Sequence, residues 1–372
     1  MAEKLGRNER CWCGSGKKFK KCHLDREKQP PIQSWEVDAQ IRSRSKSGEC
    51  LNVAHTNGSI CREPAIGSHT VSRKMLKQIA RNGHVYHHSA TMQDLDKTQG
   101  GLQVKLIGVN DASVLRVFCQ KHDSETFAPL EQAPFVGNRE QCFLLAYRAL
   151  CNEFSKKRDV LNSIHVMKGF DRGKTLEDQV AIQSNMDTFA MGNSVAVRDM
   201  LNHKKQFDSM LAARDYAEIR AYVVTFDNTP EILCSGGLFP ECDFAGQPLQ
   251  DLGNLSKQLE QITYSLIVTE SGGAFVFAWH NSGDGACRPL ATSLDRLPDG
   301  DLPHAIVRFI LEFCENHYLN PEWWDKADRK IKDALTERLQ IAASPWMRRS
   351  SSCLVDDGLR AVSWNVTGRT WL

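Results

Sequence analysis

The run NERCWCGSGKKFKKCHL, residues 8–24, offers four metal-ligating side chains within thirteen residues: Cys11, Cys13, Cys22 and His23. A closed structural zinc site takes four tetrahedral nitrogen or sulfur ligands. Gly14 and Gly16 flank Ser15 and permit backbone turns that a bulkier residue would resist, so the two halves can close on one ion. A segment this short has no core of its own, and metal binding would supply its folding energy. The spacing therefore predicts a zinc knuckle over residues 1–28.

Basic residues crowd the same stretch. Lys4, Arg7, Arg10, Lys17, Lys18, Lys20, Lys21, Arg26 and Lys28 stand against four acids, and Arg42, Arg44 and Lys46 follow. A local patch of this kind can meet phosphates although the whole chain carries a formal charge of only +2. Lys17, Lys18, Lys20 and Lys21 are the candidate contacts to a nucleic acid or other partner. The run resembles the SEC-C motif, a zinc knuckle found in many otherwise unrelated bacterial proteins. That resemblance covers about twenty residues, including Gly14 to Lys21, and implies docking toward proteins or ribosomal surfaces, not catalysis.

Beyond the knuckle, Gln29-Pro30-Pro31 breaks any helix, so residues 29–46 read as a linker. Residues 47–135 are rich in Cys, His and Gly. Cys119-x-x-His122 has the spacing of half a zinc site, and Cys50 with Cys61 could supply the other half. His55 could replace Cys50, since its loop to Cys61 is tighter. Thirteen cysteines in a chain with no signal-peptide-like apolar run favour metal over disulfides, because the cytosol keeps thiols reduced. The expectation is a cytoplasmic protein with no membrane partner. The later cysteines, from Cys142 to Cys353, read mostly as small buried hydrophobes.

The segments AIGSHTVSRKML (65–76), NGHVYHH (82–88) and VFCQKHDSETFAPLE (117–131) resemble the zinc-bracketed HNH endonucleases, in which a ββα-metal unit lies between two pairs of zinc ligands. The resemblance implies a histidine ending the first strand as general base, here His69. It also implies a metal ligand just after the last zinc ligand, here Asp123. An imidazole near neutrality can take a proton from water, and a divalent metal such as Mg or Mn can stabilise the developing charge. This chain departs from the family at Ser68, where an acid usually precedes the base. It offers no single central asparagine either, Asn82 and Asn110 both being available. His84, His87 and His88 are alternative ligands, or ordinary core and surface histidines.

From Asn138 onward the periodicity becomes regular. Phe143, Tyr147, Leu150 and Phe154 predict a helix over about 139–158, and a second runs over about 175–215. Residues 219–226 read as a strand, and 262–269 with 274–280 as an antiparallel hairpin across 270–273. Helices follow at about 304–317 and after Asn320-Pro321. There Trp323, Trp324, Ala327, Ile331, Leu335 and Leu339 share one face. At that spacing the tryptophan pair reads as core packing before base stacking. The fold class is α+β: zinc knuckle, zinc-bracketed ββα-like unit (47–135), helical segment (136–218), α+β domain (219–345) and irregular tail (346–372).

The leading functional expectation is a metal-dependent nuclease acting on DNA or RNA, with two structural zincs, suited to defence against foreign nucleic acid such as phage. The competing expectations are a non-catalytic zinc-containing adaptor, which Ser68 favours, and an effector inactive until triggered. A nuclease requires His69 and Asp123 to converge on one open cleft.

Overall fold

The computed structural model describes residues 5–45, 48–52, 61–89, 91–343 and 349–372. His55 and Lys46 lie outside the described residues. In chain order the elements of the first third are α1 (Ser34–Ser45), β1 (Ile66–His69), α2 (Arg73–Ile79), β2 (His84–Ser89), α3 (Met92–Lys97), β3 (Gln103–Gly108), β4 (Val114–Phe118), α4 (Gln120–Thr126) and α5 (Ala128–Glu131). The two long helices α6 (Arg139–Met167) and α7 (Leu176–Ala213) follow. The remainder comprises β5 (Ile219–Phe226), β6 (Ile232–Leu238), β7 (Ile262–Thr269), β8 (Gly272–His280), α8 (Cys287–Asp295), α9 (Leu302–Phe313), β9 (His317–Leu319), α10 (Pro321–Lys326), α11 (Arg329–Ala343) and β10 (Val366–Trp371). The fold is α+β.

An eight-stranded antiparallel sheet, ordered β10-β5-β8-β7-β6-β9-β2-β3, forms the centre. Its inner strands read as continuous apolar runs because helices cover both faces. Side chains alternate across the pleat. Phe275, Phe277 and Trp279 of β8 face α8, α9 and α11, and Ala274, Val276 and Ala278 face α6 and α7. Small residues on the second face let α6 lie close to the sheet. That helix starts at Asn138, whose side chain accepts from the Gln141 amide at 2.9 Å, and nearly every residue from Gln141 to Ser155 is buried. α7 is capped at its start by Thr175, which accepts from the Asp178 amide, and at its end by Arg214 in the left-handed region.

Several boundaries differ from the sequence reading, each for a physical reason. α6 runs on to Met167 because Lys156, Lys157 and Arg158 are good helix formers that carry the chain past a stretch with no apolar stripe, after which Ile164 and Val166 are buried again. The face expected after Asn320 is split between α10 and α11, with Ala327 extended between them. Trp324 packs in the core, and the Trp323 indole donates to the Ala361 carbonyl at 3.2 Å. The tail, expected to be irregular, ends in β10 along β5, where Tyr222 meets Trp371 at 4.8 Å between ring centroids. β2 and β3, from the segment expected to form a separate zinc unit, extend the central sheet through Tyr86 and Leu319.

The β7–β8 turn is tighter than the four residues expected. Gly272 has φ +138°, and a Cβ there would collide with the Phe226 carbonyl oxygen. Gly272→Ala is therefore expected to lower the unfolding free energy by more than about 2 kcal/mol in urea titrations. A loss below about 0.5 kcal/mol would show that the turn accommodates a side chain after all.

Candidate metal centres and the ββα site

The knuckle closes as its sequence suggests. Gly14 and Gly16 take φ of 72° and 71°, and the Cys11 amide donates to the Lys17 carbonyl at 2.8 Å. The Cys22 and His23 amides both turn back onto the Phe19 carbonyl. One ligand atom from each of Cys11, Cys13, Cys22 and His23 lies within 4.8 Å of the others. His23 Nδ1 stands 3.1 Å from Cys11 Sγ, and the Cys13 and Cys22 sulfurs are 3.5 Å apart. Tetrahedral zinc sets such separations at about 3.6–3.8 Å, so the set fits zinc with small adjustment. Burial pushes the Cys11 thiol up to about 12. At Cys13 burial acts the same way, but hydrogen bonds from the Ser15 side chain and backbone, and from Cys22 and Cys11, prevail and bring it to about 7.

The far side of His23 carries a partner that no local motif announces. His23 Nε2 lies 2.7 Å from Asp171 Oδ2, on the connection between α6 and α7. Asp171 is fully buried and also accepts from Arg26 Nε and Gln183 Nε2, each at 2.7 Å. A carboxylate behind a metal-binding imidazole fixes its tautomer and raises its basicity. The knuckle is therefore seated on the long helical hairpin. Asp171→Asn is expected to speed zinc loss from this centre roughly ten- to hundredfold, read with a chromophoric chelator. Unchanged release would leave Asp171 with a purely packing role.

Cys50, Cys61, Cys119 and His122 form a second cluster, again within 4.8 Å. His122 Nδ1 is 3.4 Å from both Cys50 and Cys119 sulfurs, and Cys61 Sγ is 3.9 Å from Cys119 Sγ. Cys119 occupies the N-cap of α4, so His122 falls one turn later on the same side. Cys50 arrives beside them because the Leu51 amide donates to the Val117 carbonyl of β4. Both clusters could bind zinc.

Between the halves of this second cluster, β1 pairs antiparallel with β4, and α4 follows directly: two strands and a helix. His69 is the last residue of β1 and half-buried, with Nε2 3.1 Å from the Val109 carbonyl oxygen. Asp123 sits on α4, and its Oδ1 is buried without a hydrogen-bond partner. Burial raises the Asp123 carboxyl above its usual range. Arg148, the Ser68 hydroxyl and His69 pull it down, and Glu131 pushes it up. His69, Ser68, Glu131 and Arg148 therefore all act on Asp123 electrostatically, but neither His69 nor Asp123 lines the cavity and groove beside them.

Arg148 and Glu131 escape a motif search because α6 and α5 deliver them. Arg148 is buried, donates to Glu131 at 2.8 Å and covers the Phe127 ring at 4.0 Å. Behind the site, Thr70 meets Ser113 at 2.6 Å, Ser113 donates to Asn316 at 3.1 Å, and Asn316 donates back to Thr70 at 2.9 Å. This buried network ties the residue after His69 to the central sheet. A small cavity of about 20 Å³, lined by Thr70, Ser72, Glu131 and Arg148 among others, adjoins an open groove of about 330 Å³ that Lys74 also lines.

The remaining candidates lie elsewhere. Asn82 and Gly83, both at positive φ, turn the chain into β2, and Asn110 is exposed in a turn. His84 is exposed, and its Nδ1 lies 2.8 Å from the Asn82 carbonyl. His88 packs against His317 at 2.9 Å and against Trp324; burial drives these two imidazoles down to about 2 and about 4. Lys17, Lys18, Lys20 and Lys21 are all exposed.

Comparison with known proteins reaches only the knuckle. The SEC-C motif family matches residues 7–25. Protein translocase subunit SecA of Pseudomonas putida, and that of Pseudomonas syringae pv. syringae, are 86% identical to this chain over 21 residues. Those residues are 6% of this chain, which spans about 2% of the length of these curated relatives. No solved structure matches the chain. Among the described residues, no helix is long and apolar enough to cross a membrane.

Proposed function

We propose that this protein is a metal-dependent nuclease of the HNH-like ββα type, cutting DNA or RNA. What supports the reading is that His69, ending β1, and Asp123, on α4, lie near enough to interact electrostatically. A hydrogen bond from Nε2 to the Val109 carbonyl would leave Nδ1 unprotonated, able to accept a proton from an attacking water. The unpartnered buried oxygen of Asp123 suits a cation. A divalent metal held there, Mg or Mn for instance, would stabilise charge on the scissile phosphate. Arg148, paired with Glu131, would help set the charge of Asp123, and the second cluster, loaded with zinc, would brace β1 against α4. The exposed knuckle lysines would bring a nucleic acid or a ribonucleoprotein partner to the protein in the cytoplasm, and defence against foreign nucleic acid, phage included, is a role such a chain suits.

The test is cleavage of DNA and RNA by zinc-loaded, folded protein across Mg, Mn, Ni and Zn. Cutting in at least one metal is expected, and absence of cutting in all four removes the proposal. One observation favours the second reading, a binding module or an effector awaiting a trigger. Ser68 stands where an acid would help hold a metal, and among the described residues no third ligating side chain joins His69 and Asp123. That reading predicts nucleic-acid or protein binding with no cleavage.

A further inference from the structure

Beside the knuckle runs an open groove of about 340 Å³, one wall formed by the knuckle and the other by the α6–α7 connection. Lys17, Lys21 and Arg26 line the first wall, Lys168 and Arg172 the second, and among the described residues no carboxylate lines either. Two of these cations are already matched: Arg26 by the buried Asp171, and Lys168 by Asp187 at 2.5 Å. Lys17, Lys21 and Arg172 have no such partner among the described residues. Arg172 goes further, because its Nε is buried and lacks any hydrogen-bond acceptor. That nitrogen is itself shielded from solvent, so a phosphate in the groove would meet the exposed remainder of the half-buried Arg172 side chain. Zinc bound to three thiolates and one imidazole carries a single negative charge, which leaves the groove still positive.

We infer that this groove binds the phosphodiester backbone of a nucleic-acid strand, clamped between Lys17 and Lys21 of the knuckle and Arg172 of the helical connection. The wall chemistry selects phosphates over bases. Among the described residues, apart from the imidazoles of His23 and His165, no aromatic side chain lines the groove to stack a base, and its apolar contribution comes from Ile32 and Val166. Guanidinium and ammonium groups read the backbone without sequence information. The clamp exists only while the knuckle is seated, and the Asp171 contacts with His23 and Arg26 seat it. The inference shares with the proposed function the identity of the partner, and does not require the chain to cut it.

The test uses the full chain carrying His69→Ala, so that the probe stays intact, and a short fluorescein-labelled single strand of mixed sequence. Anisotropy titrations over a range of salt give affinity and its salt slope. Lys17→Gln, Lys21→Gln and Arg172→Gln together are expected to weaken binding at least about tenfold, and to reduce the slope by roughly two, near 0.7 for each lost contact. Arg172→Lys should keep most of the affinity. Lys326→Gln, an exposed lysine elsewhere, should change little, and retained zinc in each variant shows that the knuckle is folded. Affinity and slope equal to those of the parent, or to those of Lys326→Gln, would overturn the inference. So would equal, groove-dependent binding of polyglutamate, which would make the groove an acceptor for acidic protein. Because binding is read without cleavage, loss of the nuclease proposal leaves this result standing, and the reverse also holds.

Discussion

His69→Ala is expected to slow phosphodiester cleavage by about a hundred- to ten-thousandfold, with zinc content and nucleic-acid affinity unchanged. The side chain ends a four-residue strand and is half-buried, so its removal opens little core. Its hydrogen bond to the Val109 carbonyl orients the ring, and alanine removes the proton acceptor without disturbing the clusters on either side. Asp123→Asn should differ in kind. It keeps the shape of the side chain and removes the charge that would hold the divalent ion, so its deficit should shrink as Mg or Mn concentration rises. The His69 deficit should not. Equal cutting by wild type and His69→Ala would assign the activity to another site or to a contaminant.

Cys119→Ser is expected to have the largest effect on stability. β1 and β4 form a ribbon of two short strands, which is marginal by itself in water. Val117, Phe118 and Phe127 anchor one side of it in the core beneath α6, and the Cys50, Cys61, Cys119 and His122 cluster would hold the other. Structural zinc in small finger domains contributes about 10–16 kcal/mol of apparent binding free energy. Losing one thiolate should therefore cost this unit more than about 4 kcal/mol. The variant should retain only the zinc of the knuckle cluster, measured by elemental analysis. Its amides over 65–70 and 114–126 should exchange quickly, and those of β5, β7 and β8 should stay protected. Full zinc content with unchanged exchange would mean that the packing around Phe118 holds the ribbon unaided.

The knuckle was legible because its four ligands and its turn glycines all fall within thirteen residues. The second cluster was legible as two halves, since Cys119 and His122 are one helical turn apart. Choosing Cys50 depended on β4 drawing Leu51 alongside Val117, which no spacing encodes. Asp171 was invisible, because it meets His23 across 148 residues and sits in a stretch with no ligand pattern. Arg148 and Asn316 were hidden for the same reason. The sheet was legible at β5, β7 and β8, where β-branched and aromatic residues run together, but not at the central β6, whose Cys234-Ser235-Gly236-Gly237 carries no strand pattern. It was also lost at β9, which is three residues long and lies between β6 and β2, joined to β2 by a single pair.

The length of α6 has a consequence of its own. Arg148 stands beside Asp123, and His165 lines the groove under the knuckle, seventeen residues further along the same helix. At 1.5 Å per residue that is about 25 Å. A continuous helix with the knuckle bolted to one end is a fixed gauge. A strand engaged at both places would be gripped and cut at points separated by roughly seven base steps, at about 3.4 Å per step. On the proposed nuclease and groove readings together, fragments shorter than that would slip from the grip before being cut, and digestion is expected to stall at a minimum product size set by the number of turns in one helix.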